Sequence, residues 1–269
     1  MWGDELENSA RRRVVWVAAV VSLAVVGFCG WQWYAARQRA AIPVPVSPAP
    51  AAAPVSAPPA IAHPIPGDAA GAAALPALAD SDQLVHDSLA GVLGRDPVTQ
   101  FLVPQNIVRH IVVTVDNLPR KKVAVELRPL RPTAGQTVTA TQGDLVMLGE
   151  ANFARYTPLV RVVKAVDVKA LAVVYERLYP LFQQAYEDLG YPDKYFNDRL
   201  VEVIDQVVQA PEVAAPIPLV QPRVFYEYAD ADLEGRSAGQ KLLIRMGPAN
   251  ERLLKAKLRD FRAEIVKKK

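Results

Sequence analysis

Apolar residues are arranged in two ways along this chain: one unbroken run near the start, and helical spacing from about residue 80 onward. Residues 14–34 form a stretch of 21 without a charge, in which Ser22 and Gln32 are the polar exceptions. A helix of that length covers roughly 30 Å, the thickness of a bilayer's hydrocarbon core. Trp16 at one end and Trp31, Trp33 and Tyr34 at the other have the placement of an interfacial aromatic belt. The run is too long for a secretory h-region and lacks a small-residue cleavage site. Phe28 stands where a lipobox before Cys29 needs a small side chain. The pattern therefore predicts a single transmembrane helix over 14–34, uncleaved.

From residue 80 the period changes to 3.6. Asp80 or Ser81 can cap a helix carrying Leu84, Val85, Leu89 and Val92, with Gly94 to end it. A second helix is expected from Pro104, with Ile107, Val108, Ile111, Val112 and Val115 on one face, stopped at Asn117-Leu118-Pro119. Residues 123–130 read as extended, and 137–148 as a short β-hairpin turning at Gly143-Asp144. The strongest periodicity lies between Asp167 and Gly190, where Leu171, Val174, Tyr175, Leu178, Leu181, Phe182, Ala185, Tyr186 and Leu189 share a face. Pro180 falls inside that pattern and predicts a kink or two short helices. A helix over about 194–209 follows, then a proline-rich crossing with Val224-Phe225-Tyr226 as a short strand. Ser237 and Gln240 have capping-box spacing before the next helix, and Gly247-Pro248 separates it from the last one.

Composition adds a spacer. Ten prolines lie between residues 42 and 76, mostly among alanines, so this segment cannot build a core and is expected to be a disordered, extended-biased tether. The expected organisation is an N-terminal tail at 1–13, a transmembrane helix at 14–34, a Pro/Ala-rich linker at 35–79, and a compact domain at 80–269. That domain is expected to be mostly α with a minor β-hairpin.

Charge bears on location and partners. Arg11, Arg12 and Arg13 abut the apolar run, and the 40 residues from 40 to 79 carry only Asp68. The positive-inside bias predicts a cytoplasmic N-terminus and, in a bacterium, a periplasmic domain anchored in the inner membrane. Residues 80–269 hold 26 Lys+Arg and 24 Asp+Glu, of which the last 19 positions contribute eight and three. The remainder is slightly acidic, which argues against a nucleic-acid surface. The basic C-terminal stretch is read as a solvated helix face, with attraction to anionic lipid or envelope polymer as its functional alternative.

Phosphate-binding glycine loops, the HExxH zinc helix, the GxSxG elbow and paired-cysteine sites are all absent from the sequence. The three histidines, His63, His86 and His110, stand singly, so neither a triad nor a zinc site is supported. No cofactor and no metal is expected. What remains is polar side chains set among aromatics: Asn152, Arg155 and Tyr156, then Tyr179, then Tyr195, Asn197, Asp198 and Arg199. These eight are the candidate binding groove, in which aromatics stack on a sugar or peptide while Arg and Asp hold polar groups. The structural alternative is that the same groups close buried helix junctions. Glu187 and Asp198 form a candidate carboxylate pair for acid/base work, though no catalytic residue is assigned.

The run Asn152-Phe153-Ala154-Arg155-Tyr156-Thr157-Pro158-Leu159-Val160, followed by Leu178-Tyr179-Pro180-Leu181-Phe182-Gln183, resembles the bacterial domain-of-unknown-function family 3014. Gly190-Tyr191-Pro192, Phe196-Asn197-Asp198-Arg199-Leu200, and the stretches Ser237-Ala238-Gly239-Gln240-Lys241 and Met246-Gly247-Pro248 carry the same resemblance, over about 75–265. It implies an N-terminal anchor, a Pro-rich linker and one envelope domain, and supplies no catalytic residues. The function expected from all of this is a non-enzymatic, membrane-anchored periplasmic binding or scaffolding module. Its partner is expected to be an envelope protein or cell-wall polymer. An envelope-polymer-acting enzyme using Asp/Glu acid/base chemistry is the alternative.

Overall fold

The structure is a computed structural model and describes residues 60–65 and 75–267. The expected membrane helix at 14–34 and most of the linker lie outside the described residues. Among the described residues, no helix is long and apolar enough to cross a membrane.

The domain is mostly helical. Helices α1 (Asp82–Leu93), α2 (Arg95–Phe101) and α3 (Ile107–Asn117) precede strands β1 (Thr139–Gln142) and β2 (Leu145–Leu148). Then come α4 (Glu150–Phe153), α5 (Thr157–Ala165), α6 (Val168–Asp188) and α7 (Phe196–Val207). Strands β3 (Ile217–Val220) and β4 (Glu227–Tyr228) lead into α8 (Ala231–Glu234), α9 (Ala238–Met246) and α10 (Pro248–Ile265).

The expected hairpin is present but is half of a larger sheet. Four antiparallel strands run in the order β1-β2-β3-β4, with Leu148 opposite Ile217 and Leu219 opposite Tyr228. In β3, Ile217 and Leu219 point inward while Pro218 and Val220 point out, the period-two alternation of a half-buried strand. The expected strand at 224–226 is not formed. Val224 and Phe225 sit in the connection between β3 and β4, 78% and 80% exposed, and pairing moves to Ile217–Val220, where two inward side chains are available.

Side chains form two cores. The larger gathers α1, α3, α6, α7 and α10 around Ile107, Val112, Leu178, Tyr179 and Phe196. The smaller lies under the sheet and contains Leu148, Phe153, Ile217, Leu219, Tyr228, Leu233 and Ile244. Gly247 sits between α9 and α10 with φ +85°, and a Cβ there would lie 2.4 Å from the Phe153 ring. Only glycine serves the conformation and the contact together.

The start of α3 differs from the expected one because its cap comes from another element. The Ser81 hydroxyl donates to the Leu78 carbonyl (2.8 Å), and α1 runs from Asp82. The Asp82 carboxylate instead accepts from the Asn106 and Ile107 amides (2.7 and 2.8 Å), so α3 begins at Ile107 rather than Pro104. Asn106 makes the turn with φ +51°. Residues 123–130, expected extended, contain a 3-10 turn at Val125–Leu127 and touch the body through a Leu102–Leu130 bridge.

Pro180 does not divide α6, which is one helix of 21 residues. Leu178, Tyr179, Leu181 and Phe182 are all buried around it, and that packing outweighs the single amide Pro180 lacks. Asp167 caps α6 as expected, accepting from Lys169 and Ala170. Ser237 caps α9 by accepting from the Gln240 amide (3.3 Å), while the Gln240 side chain crosses to the Gln206 carbonyl instead of closing a capping box.

Candidate functional site

Tyr175, Tyr179 and Gln183 are spaced four apart on α6 and therefore stand in one row along that helix. The row meets the N-terminal turn of α7. Gln183 Oε1 accepts from the Phe196 amide (2.8 Å) and from the Tyr179 hydroxyl (2.9 Å), which starts α7 at Phe196. The Tyr179 oxygen accepts in turn from the Asn197 amide (3.3 Å), and the Tyr175 hydroxyl donates to Asn197 Oδ1 (3.1 Å). The Tyr195 ring lies 5.2 Å from that of Tyr179. Burial holds the Tyr179 hydroxyl far above its ordinary pKa, so it stays neutral and able both to donate and to accept.

This framework presents three groups to a segment far away in sequence. Residues 60–65, which the composition assigns to the spacer, lie against it. The two Asp198 oxygens accept from consecutive backbone amides, Ala62 to Oδ2 (3.0 Å) and His63 to Oδ1 (2.7 Å). Asn197 Nδ2 donates to the His63 carbonyl (2.8 Å) and to the Ile265 carbonyl (3.3 Å). The Tyr195 hydroxyl accepts from the Ile65 amide (2.9 Å). Ile65 is 4% exposed and belongs to the larger core, whereas Ala62 and Pro64 face solvent. Asn197 is fully buried, and each of its side-chain bonds goes to a different part of the chain.

A cavity of about 710 Å³ adjoins the segment at Ala60 and Ile61. Its polar lining centres on buried Asp116, which binds Arg120 (2.6 Å) and Arg199 (3.2 Å) and accepts from the Tyr191 hydroxyl (3.4 Å). Arg199 also pairs with Glu202 (2.9 Å), and its Nε is buried with no partner. Burial lowers the Arg199 pKa, but Glu202 and Asp116 outweigh it and leave the guanidinium above its ordinary value.

The eight candidate residues thus fall in two places. Tyr195, Asp198 and Arg199 line the cleft, and Tyr179 and Asn197 support it from behind. Asn152, Arg155 and Tyr156 do not line it. Asn152 is buried beside the sheet, where its Oδ1 accepts from Val138 N (3.2 Å) and Arg155 Nη1 (2.9 Å), and its Nδ2 donates to the Arg245 carbonyl (3.2 Å). The Arg155 guanidinium donates to the carbonyls of Ala134 (3.2 Å) and Gly135 (2.7 Å), stapling the loop before β1. Tyr156 packs on the edge of the larger core.

Sequence reasoning missed Gln183, Asp116 and the docked segment. The four-residue spacing from Tyr175 through Tyr179 and Gln183 to Glu187 was the available signal for Gln183. For the segment it was Ile61, His63 and Ile65 interrupting an Ala/Pro background. Glu187 accepts from Gln183 Nε2 (2.8 Å), and both oxygens of Asp198 are engaged by amides, which suits binding better than proton transfer. No group of three or more His, Cys, Asp or Glu that could hold a metal occurs among the described residues. On the C-terminal helix and just after it, Arg252, Lys255, Arg262 and Lys267 are in ion pairs and Lys257 donates to the Val166 carbonyl, so much of the basic stretch serves the fold.

A family model described as "Protein of unknown function (DUF3014)" matches residues 107–262, and the chain belongs to that family. The match spans α3 to α10 and includes every candidate residue on α6 and α7. No curated protein and no solved structure matches the chain.

Proposed function

We propose that this protein is a non-enzymatic binding or scaffolding module of the bacterial cell envelope, anchored in the inner membrane with its domain in the periplasm. What it binds, on this reading, is polypeptide gripped by its main chain. One observation carries the proposal: Tyr195, Asn197 and Asp198 hold a stretch of main chain by three amides and a carbonyl. Backbone-directed bonds supply affinity largely independent of the ligand's sequence. The apolar run at 14–34 and the arginines before it support the address.

Two experiments test the two halves of this reading. Full-length protein in detergent, applied to an array of envelope-protein peptides, is expected to retain a subset, and Asp198→Asn to lose it. Retention of none, or equal retention by the variant, contradicts the binding role. Turnover of cell-wall fragments that Asp198→Asn and Glu187→Gln abolish would favour the enzyme instead. For the address, alkaline phosphatase fused after Lys269 is expected to be active, and an expressed but inactive fusion reverses the orientation.

A further inference from the structure

We propose that the Tyr195–Asn197–Asp198 cleft takes a proline-containing peptide of another polypeptide, in the register that this chain's own residues 62–65 occupy. The inference rests on the binding reading above and names its ligand class. Four positions define the register. The first two each present an amide to one carboxylate, and such charge-assisted bonds are the stronger kind. The carbonyl of the second is taken by Asn197. The third is Pro64, which has no amide to donate. The fourth presents its amide to Tyr195 and buries an aliphatic side chain, here Ile65.

Proline at the third position leaves no donor stranded and has its φ fixed before it binds, which lowers the entropy lost on docking. Selection therefore falls on the Pro–aliphatic pair, because the side chain of the first position stays exposed and that of the second half-exposed. Ala60 and Ile61 line the cavity together with Lys194, Arg199 and Glu202, so residues flanking the register on that side meet charged side chains.

The docked segment behaves as a ligand held in cis. Only Ile65 of residues 60–65 is buried, and one of the bonds is at an exposed site. Part of the clamp is braced without it: Asn197 by Tyr175 and Ile265, and the α7 start by Gln183. A segment tethered to its own site competes at an effective concentration on the order of millimolar. The identical segment of a second copy competes only at its bulk concentration and cannot prevail. An occupant supplied in trans is therefore a different polypeptide, one that fits the register more tightly than the own segment does.

His63→Pro tests this without touching the domain, since it deletes one amide donor from the segment. A fluorescein-labelled peptide of residues 60–67 is titrated into full-length protein in detergent micelles and followed by anisotropy. The His63→Pro protein is expected to bind it at least tenfold more tightly than wild type, because the cis competitor is weakened. Adding Asp198→Asn is expected to reverse that gain, and a peptide with Ile65→Asp is expected not to bind. Equal binding by wild type and His63→Pro, or a gain that survives Asp198→Asn, overturns the proposal. Should His63→Pro melt below wild type, Ala62→Pro makes the same comparison. If amide exchange shows the segment released and the labelled peptide still does not bind, the proline-peptide assignment fails; the peptide array decides the broader reading separately.

Discussion

Two clusters in this domain have nearly the same ingredients. Asn152 and Arg155 stand beside Phe153 and Tyr156 in α4 and the 3-10 turn that follows it, and Asn197, Asp198 and Arg199 follow Tyr195 and Phe196 at the start of α7. The first holds its own neighbourhood: Arg155, a donor only, takes the carbonyls of a loop about 20 residues earlier, and Asn152 ties that loop to α9. The second holds something remote. Asp198, an acceptor only, takes amides 135 and 136 residues away. The polarity of the charged residue decides which side of a backbone it can grip. The element that supplies this backbone, a loop within the fold or a segment before it, decides whether the result is a staple or a clamp. Staples should govern stability, and the clamp should govern occupancy.

The largest effect should come from the staple side. Gly247→Ala places a Cβ against Phe153 at positive φ, and is expected to cost about 3 kcal/mol or more in urea unfolding. A loss under about 1 kcal/mol would mean that the second core yields more readily than its packing implies. Asn152→Ala leaves the Val138 amide and the Arg245 carbonyl without their partner, an expected loss of about 2 kcal/mol with the cleft unaffected.

On the clamp side, Tyr195→Phe keeps the ring beside Tyr179 and removes the acceptor for Ile65. Its stability change should stay within about 1 kcal/mol. Amide exchange at Ile65 should quicken several-fold, and a large global loss with unchanged exchange would make Tyr195 a staple after all.

The smallest effect concerns pH. Burial pushes the Glu234 carboxyl up, but the Lys241 ammonium (2.5 Å) and the Tyr228 amide (3.0 Å) outweigh it and leave the group below its ordinary value. A carboxylate with a lowered folded pKa contributes stability that is present above its unfolded pKa, about 4.3, and is lost as pH falls through the folded one. Glu234→Gln should therefore flatten the acid limb of a stability–pH curve slightly. An unchanged limb removes Glu234 from the account.

The helices were legible because their burial follows one period. Leu178, Leu181, Phe182 and Ala185 of α6 and Ile107, Val108, Ile111, Val112 and Val115 of α3 pack where their spacing put them. The starts of α3 and α7 were not, because Asp82 caps α3 and Gln183 caps α7 across the fold, and no local signal encodes a cap from another helix. The sheet was half legible. Its hairpin is local, whereas β3 joins β2 about 70 residues on. Of the candidate site, Asp198, Tyr195 and Asn197 could be picked by type and neighbourhood. Their separation from Asn152 and Arg155 could not, since both groups read alike until their partners are placed. The segment at 60–65 was hidden by composition, because alanine and proline around it describe a tether and only Ile65 marks a foothold.

The most direct measurement is residue-resolved amide hydrogen exchange on the full-length protein, wild type against Asp198→Asn, read at Ala62 and His63. If Asp198 holds that backbone, both amides are protected in wild type and exchange at least tenfold faster in the variant, while α6 and α7 keep their protection. Equal exchange in the two proteins would contradict the clamp.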